Sequence, residues 1–326
     1  MKKIIPVLLI ITAQFLSAQE RNFNEFSLVN LQNYPYRTSP LVIQKLAFKN
    51  ELQYAYDVVY TSMGLTVSAR LSIPVMDLQD IKGIVIMLRG HQRQNGYYTG
   101  RGTENPARTY LQNGWVVIAP DFLGYGSSSP APAPWEMHQF YSTINAVELY
   151  KSLLQPVFIF DSSVAAGDRI TFPFRFNKIV LWGHSNGGQV ALHFLEIIQQ
   201  PVSTVLWAPV SIAFPENIAH FNRNLQWVRS FRENHAAQDF SLLRHLDKIA
   251  PGTAILLEQG TGDTVVPKSW NDALAAAINA ENDRRRQTGI GLINLRYEIY
   301  NNADHNLNPY RDTILPANVR FWDNNR

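Results

Sequence analysis

The chain is 326 residues long, 46% hydrophobic and 17% charged, enough to bury a sizeable core as one large α/β domain or two smaller ones. That is not the composition of a disordered chain, and 29 basic against 26 acidic residues, a formal charge of +3, make no case for nucleic acid. The absence of cysteine excludes disulfides, thiolate metal sites and a lipid-bearing N-terminal cysteine.

Lys2 and Lys3 precede an apolar run over residues 4–15, and Leu16-Ser17-Ala18 closes it as a cleavage site does. The run is shorter than the ~20 residues that span a bilayer. The expectation is a signal peptide over residues 1–18. The mature chain, 19–326, is then an exported single domain, periplasmic or secreted, without a membrane span. An uncleaved anchor is the alternative.

Short Val- and Ile-rich runs then alternate with helical stretches. Residues 54–61 and 65–73 flank a turn at Met63-Gly64 and predict an antiparallel hairpin. Strands follow at 82–88, 115–119, 178–182, 204–207, 254–257 and 295–300, and helical spacing at 107–112, 140–154, 188–198 and 270–280. Eight strands alternating with helices predict a mostly parallel sheet with helices on both faces. A longer helical stretch at 214–249 is expected to form a small cap, whereas 155–176 shows no clear period. Arg284-Arg285-Arg286 ends an alanine-rich helical pattern, where cations suit the C-terminus, and reads as a solvated helix end.

The expected strand at 178–182 leads into Gly183-His184-Ser185-Asn186-Gly187-Gly188 and then straight into a helix. This is a G-x-S-x-G turn in its proper strand-to-helix context. Ser185 is the candidate nucleophile, and the Asn186 N–H is a candidate oxyanion donor. A serine hydroxyl needs a histidine to take its proton and a carboxylate to fix that histidine, in the order Ser, acid, His for this arrangement. Asp263 follows the seventh strand and His305 the eighth, with Glu258 and Asp304 as rivals for the acid. His184 should leave the turn away from Ser185 and pack. The second oxyanion donor falls on the loop after the third strand, Arg89-Gly90-His91-Gln92, and is assigned to the His91 N–H with Gln92 close behind.

With GHSNGG around Ser185, APDFLGYGSS from Ala119, GTGDTVVP ending at Pro267 and ADHNL around His305, the chain resembles the α/β-hydrolase superfamily. It is most similar there to the prolyl-oligopeptidase-like and dienelactone-hydrolase-like branch. The resemblance covers residues from about 55 to 315 and implies an eight-stranded hydrolase sheet and hydrolysis of esters or peptide-like amides without a cofactor. The branch commonly has His-Gly where this chain has Arg89-Gly90, and the N-terminal propeller of true oligopeptidases has no counterpart here.

No H-E-x-x-H, P-loop or dinucleotide fingerprint occurs, so neither metal nor nucleotide is called for. Tyr97 and Tyr98, on the loop beyond the oxyanion strand, are candidates to grip an acyl or aryl group, with packing as the alternative. Trp135, Trp227 and Trp270 belong to a cap, a sugar-binding face or the core. The leading reading is a carboxylic-ester hydrolase acting on a small-molecule ester. A small serine peptidase acting on short peptides is the alternative, and a silent binding protein on the same fold is a third reading.

Overall fold

The computed structural model describes residues 23–171 and 175–325, so the expected signal peptide over residues 1–18 lies outside the described residues. The strands are β1 (Leu41–Lys49), β2 (Gln53–Ser62), β3 (Leu65–Pro74), β4 (Gly83–Leu88), β5 (Trp115–Pro120), β6 (Phe158–Phe160), β7 (Ile179–His184), β8 (Thr204–Trp207), β9 (Ala254–Gly260) and β10 (Asn294–Tyr300). The helices are α1 (Leu28–Gln32), α2 (Glu104–Gln112), α3 (His138–Leu154), α4 (Asn186–Ile198), α5 (Glu216–Phe221), α6 (Leu225–Asn234), α7 (Lys268–Thr288) and α8 (Arg311–Asn324).

All ten strands form one sheet in the order β10-β9-β8-β7-β4-β5-β3-β2-β1-β6. The half from β10 to β5 is parallel throughout. The β2–β3 hairpin turns at Met63 and Gly64, both at positive φ, and continues the sheet antiparallel. Eight strands are those expected, and β1 and β6 extend the far edge. β1 slips register twice against β2, which breaks the alternation that marks a strand, and β6 is three half-exposed or exposed residues in the stretch without a clear period.

The pleat explains how a continuous apolar run serves two helical layers. In β4, Ile84, Ile86 and Leu88 face a core made with α1, α3, α4 and α7, while Val85 and Met87 face a second core made with α2 and α8. A parallel sheet of this kind collects its loops at the C-terminal strand ends, which is where a site belongs. No described helix is long and apolar enough to cross a membrane.

The stretch 214–249 contains α5, α6 and three short 3-10 turns. Its aromatic residues pack on one another and on the first described residue: Phe23 lies 6.4 Å from Trp227 and 6.3 Å from Phe231 between ring centroids. Trp270 packs against His220 and Phe221 rather than entering the core.

The arginine run is not uniformly solvated. Arg284 and Arg286 pair with Glu281 and Asp283 at the surface, but Arg285 is 1% exposed. Its guanidinium donates to Glu281 and to the carbonyls of Gly291, Leu246, Asp247 and Ile249, tying α7 to the end of the 214–249 segment. Arg285→Ala strands these buried acceptors and the partner carboxylate, and is expected to cost about 3–5 kcal/mol, read from the urea midpoint. Arg286→Ala should move that midpoint far less.

Candidate active site

Ser185 sits between β7 and α4 at φ 55° and ψ −121°, a conformation a non-glycine residue keeps only when its surroundings enforce it. They do: its N–H donates to the Trp207 carbonyl, and its own carbonyl accepts from Gly188, Gln189 and Val210. The flanking glycine is obligatory, since a Cβ on Gly187 would stand 1.9 Å from the Leu88 carbonyl oxygen. Asn186 opens α4, so its N–H has no acceptor within the helix.

Asp263 and His305 lie on the loops after β9 and β10 and meet: His305 Nδ1 is 2.8 Å from Asp263 Oδ2. The other carboxylate oxygen accepts from the Val265 and Val266 N–H groups at 2.8 and 2.9 Å. Burial pushes the Asp263 carboxyl up, but the hydrogen bonds from His305, Val266 and Val265 and the charge on His305 outweigh it and hold the group below the ordinary carboxylate value. Asp263 is thus an anion with every lone pair aimed, and it fixes the proton of His305 on Nδ1.

The rivals are engaged elsewhere. Asp304 accepts from the Asn306 and Asn308 N–H groups of its own loop. Glu258 is fully buried in the sheet, where it accepts from Tyr300 and Asn318. Burial lifts its pKa to about 8 against those bonds. From the ordinary carboxylate value up to about 8, the folded protein therefore holds a proton that the unfolded chain has released. Stability from this group is greatest below the unfolded pKa and falls as pH rises through that window, by an amount on the order of 4 kcal/mol. Urea midpoints between pH 5 and 9 should fall more steeply for the wild type than for Glu258→Gln, whose amide Tyr300 can still accept.

His184 turns away from Ser185 and packs beneath His305, with its Nε2 3.0 Å from the His305 carbonyl. Burial and the neighbouring His305 lower its pKa to about 4, so it is neutral at ordinary pH and holds the His305 loop by an Nε2–H bond.

The loop after β4 crosses directly over Ser185: a Cβ on Gly90 would stand 3.1 Å from Ser185 Cβ. His91 follows it and lines the space beside Ser185. Arg89 is only 4% exposed. It donates to the Tyr97 hydroxyl, the Gly90 carbonyl and the Asp121 carbonyl, and its guanidinium lies 4.0 Å from the Tyr125 ring centroid.

The two tyrosines are placed otherwise than expected. Tyr97 directs its hydroxyl to the buried Asp121 carboxylate, and Tyr98 is exposed with its hydroxyl on Glu104. Neither lines the cavities beside Ser185, because Arg89 and Asp121 draw the loop inward.

Two cavities meet at Ser185, sharing Gly90, His91 and Val265. One, of about 320 Å³, lies over the start of α4 and is lined by Asn186, Gln189, Tyr125, Trp135, Phe221 and Asn217. The other, of about 410 Å³, contains His305 and is lined by His184, Trp207, Glu104, Asn306 and Arg311. Trp135 stacks on His138 at 4.2 Å between centroids and remains partly exposed. Of Trp135, Trp227 and Trp270, Trp135 is the one that lines the cavity over α4. Among the described residues, no group of three or more His, Asp or Glu side chains is arranged to hold a metal ion.

A doubly covered sheet with these loops at its C-terminal edge defines a hydrolase of the α/β class. The alpha/beta hydrolase family model matches residues 99–320, and the chain belongs to that family. Its fold is similar to that of Est1E from Butyrivibrio proteoclasticus, solved with bound ferulic acid, at 16% identity and TM-score 0.56 over 82% of this chain and 98% of that one. It is also similar to acetyl xylan esterase 1 from Thermoanaerobacterium sp., at 15% identity and TM-score 0.61 over 93% and 94% of the two chains. A putative dipeptidyl aminopeptidase IV from Bacteroides ovatus is similar at 13% identity and TM-score 0.60 over 85% of this chain and 36% of that one. No curated protein matches the chain in sequence.

Proposed function

We propose that the protein is an exported serine hydrolase that cleaves carboxylic esters through an acyl-enzyme on Ser185. The observation that carries this reading is the Asp263–His305 hydrogen bond at the mouth of a cavity that also holds Ser185 on its strained turn. Ser185 Oγ attacks the ester carbonyl carbon while His305 Nε2 takes the hydroxyl proton, and Asp263 keeps Nδ1–H aimed and stabilises the imidazolium. The carbonyl oxygen gains the negative charge between the Asn186 and His91 N–H groups, each worth about 3 kcal/mol. The tetrahedral centre then expels the alcohol oxygen, which receives the proton from His305. Water attacks the acyl-enzyme by the same route and returns Ser185.

The similar folds include esterases and a peptidase, so the substrate class rests on the cleft. A peptidase that grips a free N-terminus holds an ammonium against a free carboxylate. Glu136 is the carboxylate lining the cavity over α4, and the Asn224 side chain already donates to it. A single amide N–H leaves that carboxylate its charge, so the ester reading rests instead on the three neutral carboxamides that share the cavity, Gln139, Gln189 and Asn217.

The test is hydrolysis of short-chain p-nitrophenyl esters against aminoacyl p-nitroanilides, with labelling of Ser185 by a fluorophosphonate. Ester turnover well above anilide turnover is expected, from material recovered outside the cytoplasm and beginning near Gln19. Preferential anilide turnover would make the protein a peptidase, and an unlabelled Ser185 would remove the nucleophile.

A further inference from the structure

The leaving group of an acyl-enzyme reaction departs toward the histidine that protonates it. His305 lines one of the two cavities at Ser185, and the Asn186 and Gly187 backbone lines the other. On the ester-hydrolase reading, on which this inference rests, the cavity over α4 therefore receives the acyl part.

That cavity contains three carboxamides brought from three elements: Gln139 on α3, Gln189 on α4 and Asn217 on α5. Gln189 stands one helical turn, about 6 Å, beyond Ser185. The Asn217 Nδ2 donates to Gln139 Oε1 at 2.7 Å and to Gln189 Oε1 at 3.4 Å. This spends both of its protons and leaves Gln139 Nε2, Gln189 Nε2 and Asn217 Oδ1 without a partner among the described residues. Gln189 is 1% and Asn217 5% exposed, so bulk water does not serve them. Buried amide ends left unpaired are destabilising, and three in one place beside Ser185 mark a position built to be filled.

The pattern left over is two NH₂ groups and one carbonyl oxygen. A neutral group that both accepts and donates, a hydroxyl or a primary amide, meets it. An ammonium would face the two donors, and a carboxylate would face the Asn217 oxygen. The rest of the wall mixes the aromatic Phe122, Tyr125, Trp135 and Phe221 with the polar Glu136, His138 and Ser142, and the aromatic part suits a flat or apolar body between the scissile carbonyl and the carboxamides. We propose that Gln139, Gln189 and Asn217 form a specificity subsite for a hydroxyl or amide carried by the acyl part of the substrate.

Matched p-nitrophenyl esters test this: 3-(4-hydroxyphenyl)propanoate against 3-(4-methylphenyl)propanoate, and 6-hydroxyhexanoate against heptanoate. In at least one pair the hydroxylated member should have a kcat/KM about tenfold or more higher in the wild type. Gln189→Met and Asn217→Leu should each bring that ratio near unity. The ratio is taken within one variant, so a general loss of active protein cancels, and Gln139→Met, on the less buried side, supplies a third reading. A wild-type ratio near unity in both pairs overturns the subsite, as does a preference that survives all three substitutions. Turnover of p-nitrophenyl acetate and fluorophosphonate labelling, run alongside, separate the outcomes. With both present, only the subsite falls; with both absent, the ester-hydrolase reading falls as well.

Discussion

Ser185→Ala is expected to lower kcat on a short-chain ester by about a millionfold, to the residual rate that binding and the oxyanion donors alone supply. On the proposed mechanism the loss is this large because removing Oγ removes the covalent route itself, after which His305 and Asp263 have no alkoxide to generate. The substitution leaves the scaffold intact, because the bonds that hold residue 185 at its strained φ come from its own main chain and those of Trp207, Gly188, Gln189 and Val210. An unchanged urea midpoint beside the collapsed rate would isolate the chemistry. A loss smaller than about tenfold would place the nucleophile elsewhere, since no structural role of the hydroxyl accounts for a larger one.

The parts of this architecture that depend on neighbouring residues were readable in the sequence. The turn at Ser185 needs glycine at 183 and 187, a strand before and a helix after, and all of these are consecutive. Asp263 and His305 were readable by position, each on the loop that follows a buried strand. What the sequence could not display are features assembled from distant segments. Arg285 is indistinguishable from its neighbours until the 214–249 segment offers it three carbonyls across 36–39 residues of chain. The Asn217 side chain meets Gln139 over 78 residues and Gln189 over 28. Loop position alone makes Tyr97 a candidate substrate contact, whereas the buried side chains of Arg89 and Asp121, distant in sequence from one another, hold its hydroxyl between them. β1 and β6 were hidden for other reasons: β1, nine residues long and paired on both sides, slips register twice and loses its alternation, and β6 is a three-residue edge strand too short to carry a period.

Asp263→Asn should lower kcat by about ten-thousandfold while leaving substrate binding nearly unchanged. Asp263 Oδ1 is held by two main-chain N–H groups, from Val265 and Val266, which accept no substitute for an oxygen. An asparagine at this position must keep its carbonyl there and turn its NH₂ toward His305 Nδ1. That nitrogen then becomes the acceptor, and the imidazole proton moves to Nε2, the atom that has to receive the Ser185 proton. The base is thus lost through its tautomer, with no displacement of its ring. Asp304→Asn provides the contrast: Asp304 caps its own loop through Asn306 and Asn308, and its substitution should cost the rate no more than about tenfold. Parallel kcat and KM measurements on the two variants decide the matter. If Asp304→Asn were the more damaging in kcat, the acid of the site would be Asp304, and the short bond between Asp263 and His305 would be only structural.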